Sequence, residues 1–552
     1  MQLPRHKSSS PAFRGVSWSI LTVLLLAPMS AIAQKVGVYT HHNDTHRTGW
    51  NHNETTLTPA NVNATQFGLL ATVTVDDEVD AVPLVAPNVN ITAGQYQGQH
   101  DVVYVVSANN TVYAIDAATG TTLLSTNLGT PVAEPLGCKS NGPNVGVNST
   151  PVIDPTRNLL YLIAYTQGST GPVYTIHALN LGNLTDGITP QVIAASHLLT
   201  DGSQFAFSAT YQRQRPALLE ANGNIYAGFG SWCDFGGDLS RGWLLGWKAS
   251  TLAPLPANQL LQTQASDPDS FYMASIWMSG FGPAADDAGN VLFVTGNSDP
   301  SGTTYDGVTS IEESTVKVSP DLTTVLDLFT PSDENFLDEG DHDFGAGGVM
   351  LLLDQAGSVP HMAVAAGKEG DMYLMNEDNL GGYSADTDNV LGTYTIGKCW
   401  CGASYFEYAK TPVLVASGGN MIKAYEVITS PSPSLKLVTA ATIVTGQNAG
   451  NNLPTGFFTS VSSNAMTNPI IWAISRPISL SEPAVTLYAF SPLGKGGKMT
   501  QLFSTVAGTW PYVRGRINQV PVVANGKVYV ASYQQLNIYG LLPLASKTDQ
   551  KK

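Results

Sequence analysis

The chain has 552 residues, is 43% hydrophobic and only 12% charged, and carries 53 Gly, 33 Pro and a formal net charge of -16. So few charges exclude charge-driven disorder, glycine without a G-X-Y period excludes collagen, and a net negative chain repels phosphates, which excludes a nucleic-acid partner. The length suits about two to four ordinary domains, or one large all-β domain with extras.

In chain order, the first feature is a basic stretch with Arg5, Lys7 and Arg14, followed by a mostly apolar run over 16–27 and the small-x-small triplet Ala31-Ile32-Ala33. This pattern predicts a secretory signal over 1–33, cut before Gln34. The run is shorter than the roughly 20 residues a membrane span needs, and no later run is long enough either. Losing three basic residues would take the mature chain to -19, in a secreted or periplasmic setting.

His41, His42 and His46 follow close to the expected cut. In a strand the first two would point to opposite faces, so a shared metal is disfavoured. Export permits disulfides. Of the four cysteines, Cys138 with Cys233 is the preferred pair, and Cys399-Trp400-Cys401 is spaced too closely for an unstrained link. No C-x-x-C-H attaches a haem, and no pair of C-x-x-C motifs implies structural zinc.

From residue 102 onward, short β-branched and aromatic runs recur between Gly, Asn, Asp and Pro. The clearest copy is Val102–Val106, then Thr111–Asp116, then a turn at Ala117-Ala118-Thr119-Gly120; weaker copies start near Leu159, Asn224, Asn290, His361, Pro412, Pro469 and Lys527. Eight units about 50 to 70 residues apart, none able to bury both sheet faces alone, must stack. Radial stacking predicts an all-β, eight-bladed β-propeller of four-stranded antiparallel blades over 34–545. The pair Lys527–Ala531 and Ile538–Gly540 is placed to close the ring, and 546–552 reads as a polar tail.

Tyr113-Ala114-Ile115-Asp116-Ala117-Ala118-Thr119-Gly120 resembles the docking repeat of the pyrroloquinoline quinone (PQQ) dehydrogenases, the quinoprotein alcohol dehydrogenase superfamily of eight-bladed propellers. Leu57-Thr58-Pro59-Ala60-Asn61-Val62 resembles that family's lead-in. Ser275-Ile276-Trp277 before Val294-Thr295-Gly296-Asn297 resembles its stacking Trp and T-G-N; Asp341-His342-Asp343 its W-D-x-D; Lys368 its basic residue over the quinone; and Ser231-Trp232-Cys233-Asp234-Phe235-Gly236 its S-G-A-E-F-G. Asp80 stands where the family has an acid near the cofactor, and Cys399-Trp400 where it has N-W. The adjacent Cys-Cys pair, the docking Trp and the Trp before Asp341 are absent.

The resemblance implies PQQ contacted by Asp80, Ser231, Trp277, Lys368, Cys399 and Trp400. It implies a Ca or lanthanide ion held by Asp234, Asn297, Asp341 and Asp343, with Asp343 the extra acid that accompanies lanthanide use. Asp341 would be the general base and Lys368 the group that stabilises the quinone oxygen. The implied activity is oxidation of an alcohol or sugar with an external electron acceptor. A competing reading makes Asp341 and Asp343 part of an acidic turn, Asn297 a turn residue, Trp277 core and Lys368 a hairpin tip. The chain is then a cofactor-free propeller that binds a protein or glycan. Arg213-Gln214-Arg215 fits either a carboxylate-bearing ligand or a surface ion pair.

Overall fold

The computed structural model describes residues 35–543 apart from 139–141, 268, 299–304, 447–455, 480 and 512–518. The expected export signal over 1–33 and tail over 546–552 lie outside the described residues. Eight antiparallel four-stranded blades follow one another over 84–127, 152–192, 219–260, 284–330, 349–395, 404–442, 459–509 and 522–541. The last is completed by Phe67–Thr74 from the start of the chain, which pairs with Gln535–Leu541 and closes the ring as the sequence led us to expect. The runs singled out in the sequence are the second strand of each blade, among them Gly98–Val106, Leu159–Gly168, Asn224–Ser231 and Thr467–Ile474. These strands are buried along most of their length because sheets pack on both faces, which is why they read as unbroken apolar runs. Among the described residues no helix is long and apolar enough to cross a membrane.

The first strands of neighbouring blades touch one another, so they form the inner wall. Residues 38–51 reach this wall at every blade. Val38 exchanges two backbone hydrogen bonds with Val85, and the carbonyls of Tyr39, Thr45, His46, Thr48 and Gly49 accept from Ile153, Ala285, Leu351, Tyr405 and Val461. The Arg47 guanidinium donates to Leu218 O, and the Asn51 amide to Val523 O. The lead-in is therefore an axial strap bonded to all eight blades.

His41 and His42 belong to this strap, and not to a strand. Their rings stack at 5.1 Å instead of pointing apart. Both are buried, and burial is the main cause of their lowered pKa values, His42 to about 4. The two His42 ring nitrogens lie 2.8 Å from the Arg47 and Thr459 carbonyl oxygens, and the neutral ring donates to one of them. All four cysteines are paired. Cys138 bonds Cys233, as preferred; Cys399 bonds Cys401, against expectation, with a Cα–Cα distance of 4.9 Å that falls in the ordinary range.

Candidate active site

In an antiparallel blade the end of the second strand and the start of the first share one rim. Side chains from different blades therefore converge above the inner wall. Ser231 ends the second strand of blade 3 and Asp234 follows it, as Asn297 follows that of blade 4, Lys368 that of blade 5 and Arg476 that of blade 7. Arg213 and Arg215 enter from the approach to blade 3, and Trp277, Asp341, Asp343 and Trp400 from the crossings between blades 3 to 6. Together, Asn297 aside, they line a cavity of about 230 Å³ with Cys233, Ser279 and Ala346. Beneath it Arg476 lies over Phe458 at 5.9 Å, Phe458 stacks on Phe281, and Phe281 meets His41 and His42 edge-on.

Trp277 is wedged between two glycines. A Cβ on Gly230 would come within 2.6 Å of its Cδ1, and one on Gly296 within 2.6 Å of its Cζ3. The glycine of Thr295-Gly296-Asn297 thus has a steric reason. The indole N–H donates to Ser231 O at 3.2 Å, and Arg215 Nε donates to the Trp277 carbonyl at 3.2 Å.

Lys368 is the electrostatic centre. Its ammonium contacts Asp341 Oδ1, lies 2.7 Å from Asp343 Oδ2 and donates to Asp341 O at 3.1 Å. Burial disfavours its charge, but Asp343 and Asp341 together outweigh burial and hold its pKa above the usual lysine value. Asp341 sits at the mouth with its side chain 65% exposed, whereas that of Asp343 is 5% exposed. Burial, then Asp343 and Asp341, pushes the Asp234 carboxyl up to about 7. Behind Asp343 the carboxyl of Glu313, fully buried, is driven well up by burial and then by Asp343, and accepts from the Phe344 N–H at 2.5 Å. Sequence reasoning missed Glu313 and Arg476. The first carried no motif; the second had only the signal of a charge at the end of a buried strand.

Asn297 is not in the lining, and its backbone N–H is near enough to Asp343 to favour that carboxylate's charge. Asn297 Oδ1 and Asp343 Oδ1 are buried without a hydrogen-bond partner among the described residues, which suits a hard cation. Among the described residues no three carboxylates, imidazoles or thiolates converge as a complete ligand set, so an ion here would need further oxygens from its ligand.

Asp80 and Cys399 are not in the lining. Asp80 is buried and accepts from Asn148 Nδ2 at 2.6 Å, and the Cys399 sulfur is bonded to Cys401, so it cannot replace an asparagine's polar contact. Arg213, Arg215 and Arg476 face the cavity and not an outer surface. Burial lowers the Arg476 pKa to about 9, and its guanidinium donates to Gly456 O at 2.7 Å and to Trp400 O.

No family model and no curated protein matches the chain. Among solved structures, the quinohemoprotein alcohol dehydrogenase from Comamonas testosteroni aligns with a TM-score of 0.57 at 13% identity, over 93% of this chain and 81% of that one. A quinohemoprotein alcohol dehydrogenase from Pseudomonas putida HK5 aligns equally well, with 0.57 and 13% over 92% and 80%. At such identity the likeness is one of architecture: the chain has the eight-bladed propeller fold of the quinohemoprotein alcohol dehydrogenases.

Proposed function

We propose that the chain is an exported, quinoprotein-like oxidoreductase that takes PQQ with a Ca or lanthanide ion and oxidises an alcohol or sugar. The observation that carries this reading is the single cavity in which two tryptophans, three arginines and a lysine meet three aspartates. Flat apolar indoles suit a conjugated ring. Guanidinium groups suit the carboxylates of a polyanionic ligand. Asn297 and Asp343, with Asp234 close by, would hold the ion, and the ligand would supply further oxygens.

When bound, the quinone would accept a hydride, the chemistry the protein itself lacks. The chain's own residues would do the rest. Asp341, exposed at the mouth, would take the proton of the substrate hydroxyl. Lys368 would keep Asp341 oriented and present a positive charge to the ring oxygens. Trp277, fixed by Gly230 and Gly296, would support one ring face. Electrons would leave to an external acceptor.

The test is a titration of metal-stripped protein with PQQ, with and without Ca²⁺ or La³⁺, followed by tryptophan quenching. We expect ion-dependent binding, and loss of that dependence in Asp343→Asn. Absence of binding with every ion would refute the reading and leave the cofactor-free scaffold, to be pursued with protein and glycan partners.

A further inference from the structure

The Cys399–Cys401 link has a sequence separation of 2, against 95 for Cys138–Cys233. The constraint a disulfide places on the unfolded chain grows with the loop it closes. The short link therefore adds little to global stability, and its effect must be local. What it encloses is Trp400.

The tripeptide is anchored at every residue. The Cys399 N–H donates to Gly367 O at 3.1 Å, the Cys401 carbonyl accepts from Gly348 at 3.0 Å, and the Trp400 carbonyl accepts from the buried Arg476 guanidinium. Both cysteines are buried, at 1% and 2% exposure, while Trp400 lines the cavity with its ring 5.7 Å from Lys368 Nζ. The link ties two inward side chains together and leaves the one between them facing the cavity. Trp277 is fixed by the glycines around it; Trp400 has a covalent loop instead.

We infer that the Cys399–Cys401 disulfide is a positioning clamp for Trp400. It holds the indole as a wall of the cavity for a flat conjugated ligand and keeps the Trp400 carbonyl on Arg476. Cys399 is then a positioning residue without ligand contact of its own. The ligand part of this inference rests on the PQQ reading of the same cavity.

The experiment compares wild type with the double variant Cys399→Ser/Cys401→Ser, each alongside its Trp400→Phe partner. The difference in fluorescence within each pair isolates Trp400. Without PQQ, we expect iodide quenching of the Trp400 signal to rise about twofold once the loop is released. With PQQ and ion, we expect affinity to fall about tenfold as preorganisation is lost, while the thermal midpoint moves by only a few degrees. Unchanged quenching and unchanged affinity in the double variant overturn the clamp even where wild type binds PQQ. No binding by wild type, with quenching raised in the variant, refutes the PQQ reading and leaves the clamp standing. If the serine pair does not fold, the link is needed for global stability and the clamp is overturned. Trp400→Phe, which keeps the disulfide, should by itself weaken PQQ binding several-fold, and undiminished binding overturns the wall assigned to Trp400.

Discussion

At the scale of single residues, a partly buried acid shows how the propeller's packing writes a pH dependence. Glu220 lies on the inner strand Leu219–Ala221, 3.6 Å from Arg157, which also contacts Asp154. Burial, then the charge of Asp154 and a hydrogen bond with it, pushes the Glu220 carboxyl from 4.5 up to about 7. The folded protein therefore keeps a proton that the unfolded chain has already lost between those values. The resulting stabilisation is complete below about 4.5 and disappears as pH rises through about 7. Glu220→Gln removes this titration. We expect the variant to be more stable than wild type at pH 8 by roughly 2 kcal/mol, after allowing for partial exposure, and the two to converge near pH 4. Urea midpoints across that range would check it; a variant that is less stable at pH 8 would contradict the argument.

At the scale of elements, the crossing that carries Trp277 and the turn that carries Asn297 fit together only because Gly230 and Gly296 have no side chain. In Gly296→Ala the new methyl would meet Trp277 Cζ3 at 2.6 Å and Asp343 Cβ at 3.3 Å. Overpacking of this kind costs about 1–3 kcal/mol, and the displaced indole should weaken PQQ binding as well. Wild-type melting and wild-type PQQ affinity in Gly296→Ala would refute the wedge. This element also shows what the sequence reveals. Trp277, Asp341, Asp343 and Lys368 stand in motif-like strings, and the structure gathers them in one cavity. The second strands are legible for a simpler reason: burial on both faces demands unbroken apolar runs. Arg476 was missed because its partners are the carbonyls of Gly456 and Trp400, and a backbone acceptor leaves no trace in sequence. Asp80 fits a position in a string, but a string does not say which rim a side chain reaches: Asp80 lies outside the cavity lining and accepts from Asn148.

At the scale of the whole molecule, a propeller has a weakness its blades cannot remedy. The first strands leave backbone donors and acceptors facing the axis, and unpaired groups there are costly. The strap over 38–51 answers this with bonds to every blade, nearly all through its backbone, which is why its role was not legible in its residue types. His42 and Asn51 add side-chain contacts, and Arg47 is the most extensive exception, a fully buried guanidinium. Its Nε donates to Pro283 O at 2.9 Å, and its other nitrogens to Thr40 Oγ1 at 2.7 Å, His41 O at 2.9 Å and Leu218 O at 3.1 Å. It thereby joins the strap to blade 3 and to the approach to blade 4. Burial is the main cause of its lowered pKa, yet at about 10 it stays charged at neutral pH. Arg47→Ala would strand three carbonyls and a hydroxyl at the axis, each worth about 1–3 kcal/mol when buried unpaired, with some relief if water enters. We expect a loss of at least about 3 kcal/mol in urea unfolding. Because the same strap packs beneath Phe281 and Phe458, Arg47→Ala should also speed amide exchange on the inner strands on both sides of it. A loss under about 1 kcal/mol would mean that the ring closes through its strands alone and that the strap is a passenger.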